Sequence, residues 1–161
     1  MAEESITEYF SKDHDRLDNL LKDFLDLKKS DFSRAKELFK EFKTGLQRHI
    51  VWEEDVLFPY FEKKTGMSNA GPTVVMRSEH REIGGYLEQV HEKVKGNNIN
   101  SDSEEQNLLS ALSHHNLKEE KILYPSIDGL VNENERKEIF EVMKNIPEER
   151  YKCCCQVSNP L

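Results

Sequence analysis

The stretch RHIVWEEDVLFP at residues 48–59 returns as HHNLKEEKILYP at residues 114–125, and the likeness extends beyond these two segments. Adding 66 to a residue number carries His14 to His80, His49 to His115, Glu53 to Glu119, Glu54 to Glu120, Leu57 to Leu123 and Pro59 to Pro125. Leu17 with Ile83, Leu21 with Leu87, Val56 with Ile122 and Phe58 with Tyr124 keep the same offset. A constant offset without a gap means that two halves, about 7–62 and 72–126, repeat one layout. Packed face to face they are related by a pseudo-two-fold axis, and the repeated His and Glu residues meet around it.

Each half reads as a pair of helices. In the first, Tyr9, Phe10, Leu17, Leu20, Leu21, Phe24 and Leu27 recur at spacings of three and four, the period of one apolar helix face, which predicts a helix over about 7–28. Asp31 or Ser33 can cap a second helix that carries Leu38, Phe39, Phe42, Leu46, Val56 and Leu57 to about residue 63. The short connection makes the two antiparallel neighbours. KKTGMSNAGP ends this hairpin, and Pro72 suits the first turn of a third helix running to about residue 95. GNNINSDS closes that helix, and Ser103 with Gln106 offers a capping box for a fourth, carried by Leu108, Leu109, Leu112, Ile122 and Leu123 to about residue 126. A weaker fifth helix over about 133–144 presents Ile139, Phe140 and Met143. The expected architecture is all-α, a helix bundle over residues 1–146 with a short fifth helix, followed by a C-terminal tail over 147–161.

Composition closes off other classes. Charged residues make up 34% and apolar residues 36%, with seven Gly and five Pro, which suits a helical domain rather than a sandwich or a disordered chain. A net charge of −8 without a basic cluster argues against nucleic acid as partner, because phosphate binding rests on Lys and Arg. No run of about 18 apolar residues occurs, and MAEESITEYF lacks the layout of a signal peptide, so a cytoplasmic protein with no membrane partner is expected. Monomer and dimer are both compatible with such a bundle.

The chemistry follows from helix geometry. His49 and Glu53, like His115 and Glu119, are four residues apart, so both side chains leave one face about 6 Å apart along the axis. Antiparallel packing can bring His14 and His80 to the same level. The set His14, His49, Glu53, His80, His115 and Glu119 is rich in nitrogen and hard oxygen donors, holds no thiolate, and exceeds the four ligands of a tetrahedral zinc site. Two six-coordinate ions bridged by Glu53 and Glu119 fit it better, with room for a bridging oxo or hydroxo group and for exogenous ligands. Iron is the first candidate metal and manganese the second.

HDRLDNLL at His14, HIVWEEDVLFP at His49, EHREI at His80 and HHNLKEEKILYP at His115 together resemble the hemerythrin-like, or HHE cation-binding, domain over roughly residues 7–126. The resemblance implies an up-down-up-down four-helix bundle holding a non-haem di-iron centre, with Glu53 and Glu119 bridging, His49 and His115 terminal, and His14 and His80 in the place of the lone His of the other two helices. Oxygen-carrying members place a further His one turn after the third-helix ligand, where this sequence has Gly84. The four-His pattern is similar to the di-iron proteins that repair iron-sulfur clusters and to hemerythrin-like sensors. The implied partners are dioxygen, NO or peroxide, with iron-sulfur proteins on the repair reading. Oxygen binding or iron storage, and an enzyme that reduces NO or decomposes peroxide, remain as alternatives.

Several residues carry plainer expectations. His114 pairs by offset with Arg48 and should face solvent, and His91, whose counterpart is Leu25, should be a core or bundle-end histidine. Asp18, four residues after His14, is expected to be a surface carboxylate. Tyr9, Tyr86 and Tyr124 lie near the ligand levels, where a tyrosine can donate a hydrogen bond to a ligand or simply fill the core. Pro59 and Pro125 are expected to kink or end their helices beyond the ligand layer. Cys153, Cys154 and Cys155 are contiguous, so they cannot staple distant parts of the fold, and a role in redox chemistry or iron transfer stands beside their reading as ordinary tail residues.

Overall fold

A computed structural model describes residues 3–152, so the cysteine run lies outside the described residues. The chain is helical throughout, with no strand among the described residues. Helix α1 spans Ile6–Leu27. Helix α2, Phe32–Trp52, runs on through a π-helical turn, Glu53–Leu57, into α3, Phe58–Thr65. Helix α4 spans Pro72–Lys95. Helix α5, Asp102–Lys118, continues through a second π-helical turn, Glu119–Leu123, into α6, Tyr124–Leu130. These form the four rods of an up-down-up-down bundle, α1 packing on α2 and α4 on α5. Helix α7, Glu133–Lys144, lies against the first π turn, and α8, Glu149–Lys152, lies against α2. The tail expected from residue 147 thus begins with a helical turn, tied to the bundle by Arg150 at 2.9 Å from Asp55.

The helix starts show which local signals hold. Ser5 caps α1 in a reciprocal box with Glu8, and Asp128 on α6 accepts from the backbone N–H groups of Ile6 and Thr7 at 2.8 and 3.0 Å. Three or more of the unpaired donors at this terminus are thereby met, and the carboxylate sits at the positive end of the helix dipole. Asp31, not Ser33, caps α2. The box expected at Ser103 and Gln106 does not form: α5 starts at Asp102 behind Ser101, whose hydroxyl bonds Glu105 at 2.5 Å. The reason is tertiary. The Lys28 ammonium is buried at the end of α1 and takes Asp102 at 2.6 Å and Glu105 at 2.8 Å as partners, which draws the start of α5 onto it. Gly66, in the left-handed region at φ +73°, ends α3, a conformation that favours glycine.

The two π turns reconcile proline with an unbroken rod. In an α-helix the ring of Pro59 would clash with the carbonyl of Asp55 and leave a ladder bond unmade. Here the N–H of Phe58 reaches back five residues to the Glu53 carbonyl, and that of Tyr124 reaches the Glu119 carbonyl in the same way. The wider turn admits Pro59 and Pro125 in the first turn of the next α segment, both exposed, and the helix continues. Each π turn begins on a candidate ligand, Glu53 or Glu119. Wider turns of this kind concentrate at functional sites.

The core divides in two along the bundle. One apolar cluster holds Phe10, Trp52, Leu57, Phe58, Tyr124 and Ile127 together with Ile139 and Met143 from α7. The other holds Leu17, Leu21, Phe42, Leu46, Ile83, Leu87 and Leu112. The repeated His and Glu residues form a polar layer between them. Ile122, expected in the core, is 62% exposed, whereas its counterpart Val56 is 6% exposed. Helix α7 packs on the first π turn, which carries Val56, and the repeat supplies no second α7 to cover Ile122. Among the described residues, no helix is long and apolar enough to cross a membrane.

Candidate metal centre

The structure brings all six predicted residues into the polar layer. His14, His49, His80 and His115 are 2–4% exposed and Glu53 and Glu119 are fully buried. Their donor atoms fall into two groups: Glu53, His80, His115 and Glu119 form one, and His14, His49 and Glu119 the other, each with its donors within 4.8 Å of one another. Glu119 belongs to both, and each glutamate faces a histidine of each group. Glu53 turns Oε2 toward His80 Nε2 at 3.1 Å and Oε1 toward His49 Nε2 at 3.7 Å. Glu119 turns Oε1 toward His115 Nε2 at 2.9 Å and Oε2 toward His14 Nε2 at 3.3 Å.

Every imidazole is held from behind by a carboxylate on another helix. His14 Nδ1 lies 2.8 Å from Glu120, His49 Nδ1 2.9 Å from Asp13, His80 Nδ1 2.7 Å from Glu54, and His115 Nδ1 2.9 Å from Glu79. The four partners obey the offset of 66, Asp13 matching Glu79 and Glu54 matching Glu120. A carboxylate accepts only, so each Nδ1 carries a proton and each ring turns its Nε2 inward. This carboxylate–histidine arrangement orients metal-binding imidazoles and raises their basicity.

The inward side is therefore rich in electron pairs. His80 Nε2 and His115 Nε2 face one another at 3.1 Å. Glu53 Oε2 and Glu119 Oε1 are buried and make no hydrogen bond. An uncompensated buried carboxylate costs several kcal/mol, so this layer requires added positive charge. Proton affinities report the same field. Burial alone pushes the His49 imidazole down, but Glu53 and Asp13 outweigh it and raise its pKa to about 10. His80 is likewise raised to about 9, Glu53 and Glu54 overcoming its burial. Burial pushes the Asp13 carboxyl up, yet the bond to His49 and the neighbouring Arg16 hold it at about 2. Glu53 is held well below the usual carboxylate range, His49 and His80 outweighing its burial. Cations on the inward nitrogens and oxygens satisfy the same demand, so the donor set fits a metal.

Tyr124 enters this layer from the Phe10 side of the core. Its hydroxyl oxygen lies 2.5 Å from Glu53 Oε1, 2.8 Å from Glu119 Oε2, and 3.4 and 3.3 Å from Nε2 of His14 and His49. Burial and the two carboxylates raise its pKa well above the usual phenol value. Its repeat counterpart Phe58 instead stacks on His80, ring centroids 5.7 Å apart. On the opposite side, toward Leu17 and Ile83, all four histidines border a cavity of about 10 Å³, room for about one water-sized molecule. Asp18 lies at its rim and is otherwise exposed. Gly84, at the position of the further histidine in oxygen carriers, is buried and brings no donor.

The remaining expectations fall elsewhere. His114 is exposed and bonds the Ser110 carbonyl. His91 sits half-buried near the far end of the bundle, 3.3 Å from both Lys43 and Glu88. It groups with Glu88 and Glu92, but the Lys43 ammonium, 2.9 Å from Glu88, already supplies a cation there. Tyr9 packs on Trp52 and Phe140, and Tyr86 against the Leu17 cluster, so of the three tyrosines singled out Tyr124 alone reaches the layer. Sequence reasoning missed Asp13, Glu54, Glu79 and Glu120. Their signal was present, since each is adjacent in sequence to one of the six and repeats with it.

Together these features define a four-helix bundle with a buried, carboxylate-supported cation-binding layer of histidine and glutamate. The hemerythrin HHE cation binding domain matches residues 5–127, and the chain belongs to that family. An iron-sulfur cluster repair protein, YtfE, from Cronobacter sakazakii (strain ATCC BAA-894) is 47% identical to this chain over 45 residues. That match covers 28% of this chain and 20% of the relative's length. No solved structure matches the chain.

Proposed function

We propose that this protein holds two non-haem iron ions between His14, His49, Glu53, His80, His115 and Glu119, with manganese as the alternative metal. The centre reacts with or senses dioxygen, NO or peroxide, in iron-sulfur cluster repair or iron handling under oxidative or nitrosative stress. The observation that carries this reading is the convergence of four inward Nε2 atoms on two fully buried glutamates, each of which faces both donor groups. Nitrogen and carboxylate donors without thiolate suit iron and manganese. The repair reading also draws support from the YtfE relative, an iron-sulfur cluster repair protein.

When bound, such a pair of ions supplies redox chemistry and open coordination for small molecules. The chain does the rest. Asp13, Glu54, Glu79 and Glu120 fix the imidazole orientations, Glu53 and Glu119 tie the two donor groups together, and the apolar clusters above and below exclude bulk water, which strengthens every charge interaction in the layer. The cavity bordered by the four histidines leaves room for about one water-sized molecule beside the donors, which also favours the second reading, an enzyme turning over peroxide or NO.

Metal analysis of protein purified anaerobically and reconstituted with ferrous iron tests the centre. Two iron ions per chain are expected, and less than one after reconstitution sinks the assignment. Iron delivery to an apo-cluster protein supports repair, whereas rapid turnover of peroxide or NO without delivery supports the enzyme.

A further inference from the structure

We infer that Tyr124 is a fifth protein ligand to the ion held by His14 and His49, so that the two ions of the centre are inequivalent. This rests on the di-iron reading above. Four polar atoms surround the Tyr124 hydroxyl oxygen: Glu53 Oε1 and Glu119 Oε2, which only accept, and the Nε2 atoms of two histidines whose Nδ1 atoms point at Glu120 and Asp13. A phenol has one proton and can donate to only one of them. A hydrogen-bonding role therefore satisfies one carboxylate and leaves the other opposed to the lone pairs of the phenol oxygen in a buried site.

A cation resolves all four contacts at once. Donor atoms at about 2.0–2.2 Å from one ion stand about 3 Å apart when they are adjacent in its shell. The phenol oxygen lies 2.5, 2.8, 3.3 and 3.4 Å from the four other donors, which scatter around that spacing. The four also edge one another, His14 Nε2 to Glu119 Oε2 at 3.3 Å and His49 Nε2 to Glu53 Oε1 at 3.7 Å. Tyr124 is thus placed as the apex over a base of two nitrogens and two oxygens. As the metal–oxygen bond forms the phenol proton leaves, and no electron moves.

The other ion has no such apex. Phe58 occupies the repeat-related position, stacked on His80, and brings no donor. The protein then supplies five donors to the ion at His14 and His49 and four to the ion at His80 and His115. The cavity bordered by the four histidines lies on the far side of the layer from both aromatic rings. A small molecule entering there meets one ion with a phenolate opposite and one without, and binds the latter first.

The test uses the iron-loaded protein oxidised to the ferric state. Tyrosinate bound to ferric iron gives a visible charge-transfer band and resonance-enhanced phenolate ring vibrations. The native chain is expected to show both, and Tyr124→Phe to lose them, a drop of tenfold or more in band intensity, while retaining two iron ions per chain. Ring-deuterated tyrosine in the otherwise native protein shifts those vibrations, a readout that does not depend on the variant folding. Two bound iron ions with no phenolate vibrations in the native protein overturn the ligand and leave the di-iron centre standing. A band that survives in Tyr124→Phe also overturns it. Failure of the native chain to take up iron overturns the reading beneath.

Discussion

The first half of the molecule and the second each present two histidines and one glutamate to one layer, yet differ in what surrounds them. His49 is backed by Asp13, itself buried and held by Arg16, whereas His115 is backed by the more exposed Glu79, which Lys118 also engages. Val56 lies under α7 while Ile122 stands in solvent. Tyr124 reaches into the layer where Phe58 offers only a ring face. Duplication thus preserves the charges that face inward, because each imidazole there is paired with a carboxylate, within its own half for His49 and His115 and across the halves for His14 and His80. It relaxes wherever a residue meets something present only once, such as α7 or solvent.

The largest effects should be symmetric. Glu53→Gln and Glu119→Gln each replace one oxygen of a carboxylate that faces both donor groups by an NH2 and remove its negative charge, so both should abolish stoichiometric metal uptake. Native protein at a hundredfold excess of metal over Kd gains about 3 kcal/mol, roughly 5–10 °C in Tm for a chain of this size. Neither variant should show that rise in thermal denaturation with and without metal. A variant that keeps one ion at full affinity breaks the symmetry of the two glutamates.

The supporting carboxylates should be unequal. Loss of such a partner typically lowers metal affinity by about 10–100-fold. Asp13→Asn is expected near the upper end, because the site is buried, and Glu79→Gln near the lower, because water and Lys118 compensate. Competitive metal titration measures both, and equal losses contradict the contrast.

Acid and base should act on the metal-free protein in opposite senses. Asp13 is depressed from 3.8 to about 2, so its contribution to stability is present above about pH 4 and is lost as pH falls through 2. His49 is raised from 6.5 to about 10, so its contribution is complete below about pH 6.5 and is lost as pH rises through 10. Metal-free protein should therefore be most stable between about pH 4 and 6.5. Metal displaces the His49 proton, so the stability gained on loading should grow toward pH 8. Denaturation series with and without metal check both trends, and a metal gain that shrinks with rising pH contradicts them.

The smallest contrast lies at the π turns. Val56→Ala empties a packed position under α7 and should cost about 1–3 kcal/mol. Ile122→Ala should stay within about 0.5 kcal/mol, as exposed substitutions do. Urea denaturation separates the two.

Much of this was legible in the chain. The fixed offset, the four-residue His–Glu spacing and the apolar period lead to the bundle and to all six inward residues, because helix geometry converts those spacings directly into shared faces. The supporting carboxylates were equally visible as repeated neighbours of the six, but nothing in a helical period says which imidazole each one meets. Asp13 precedes His14 and yet serves His49; Glu54 follows Glu53 and yet serves His80. At the start of α5, Ser103 and Gln106 satisfy a local capping pattern, while the buried Lys28 ammonium sets the actual start.

The sequence by itself determined the number and direction of the main helices and the donor set at their centre, since both depend on periodicity within a single helix. Tertiary structure alone decided how Pro59 and Pro125 are carried through unbroken rods, which carboxylate holds which histidine, and that Tyr124 joins the layer while Ile122 leaves the core. Each of these depends on the rotation and register of one helix against another. Packing fixes those two quantities, and the spacing of residues along one chain does not contain them.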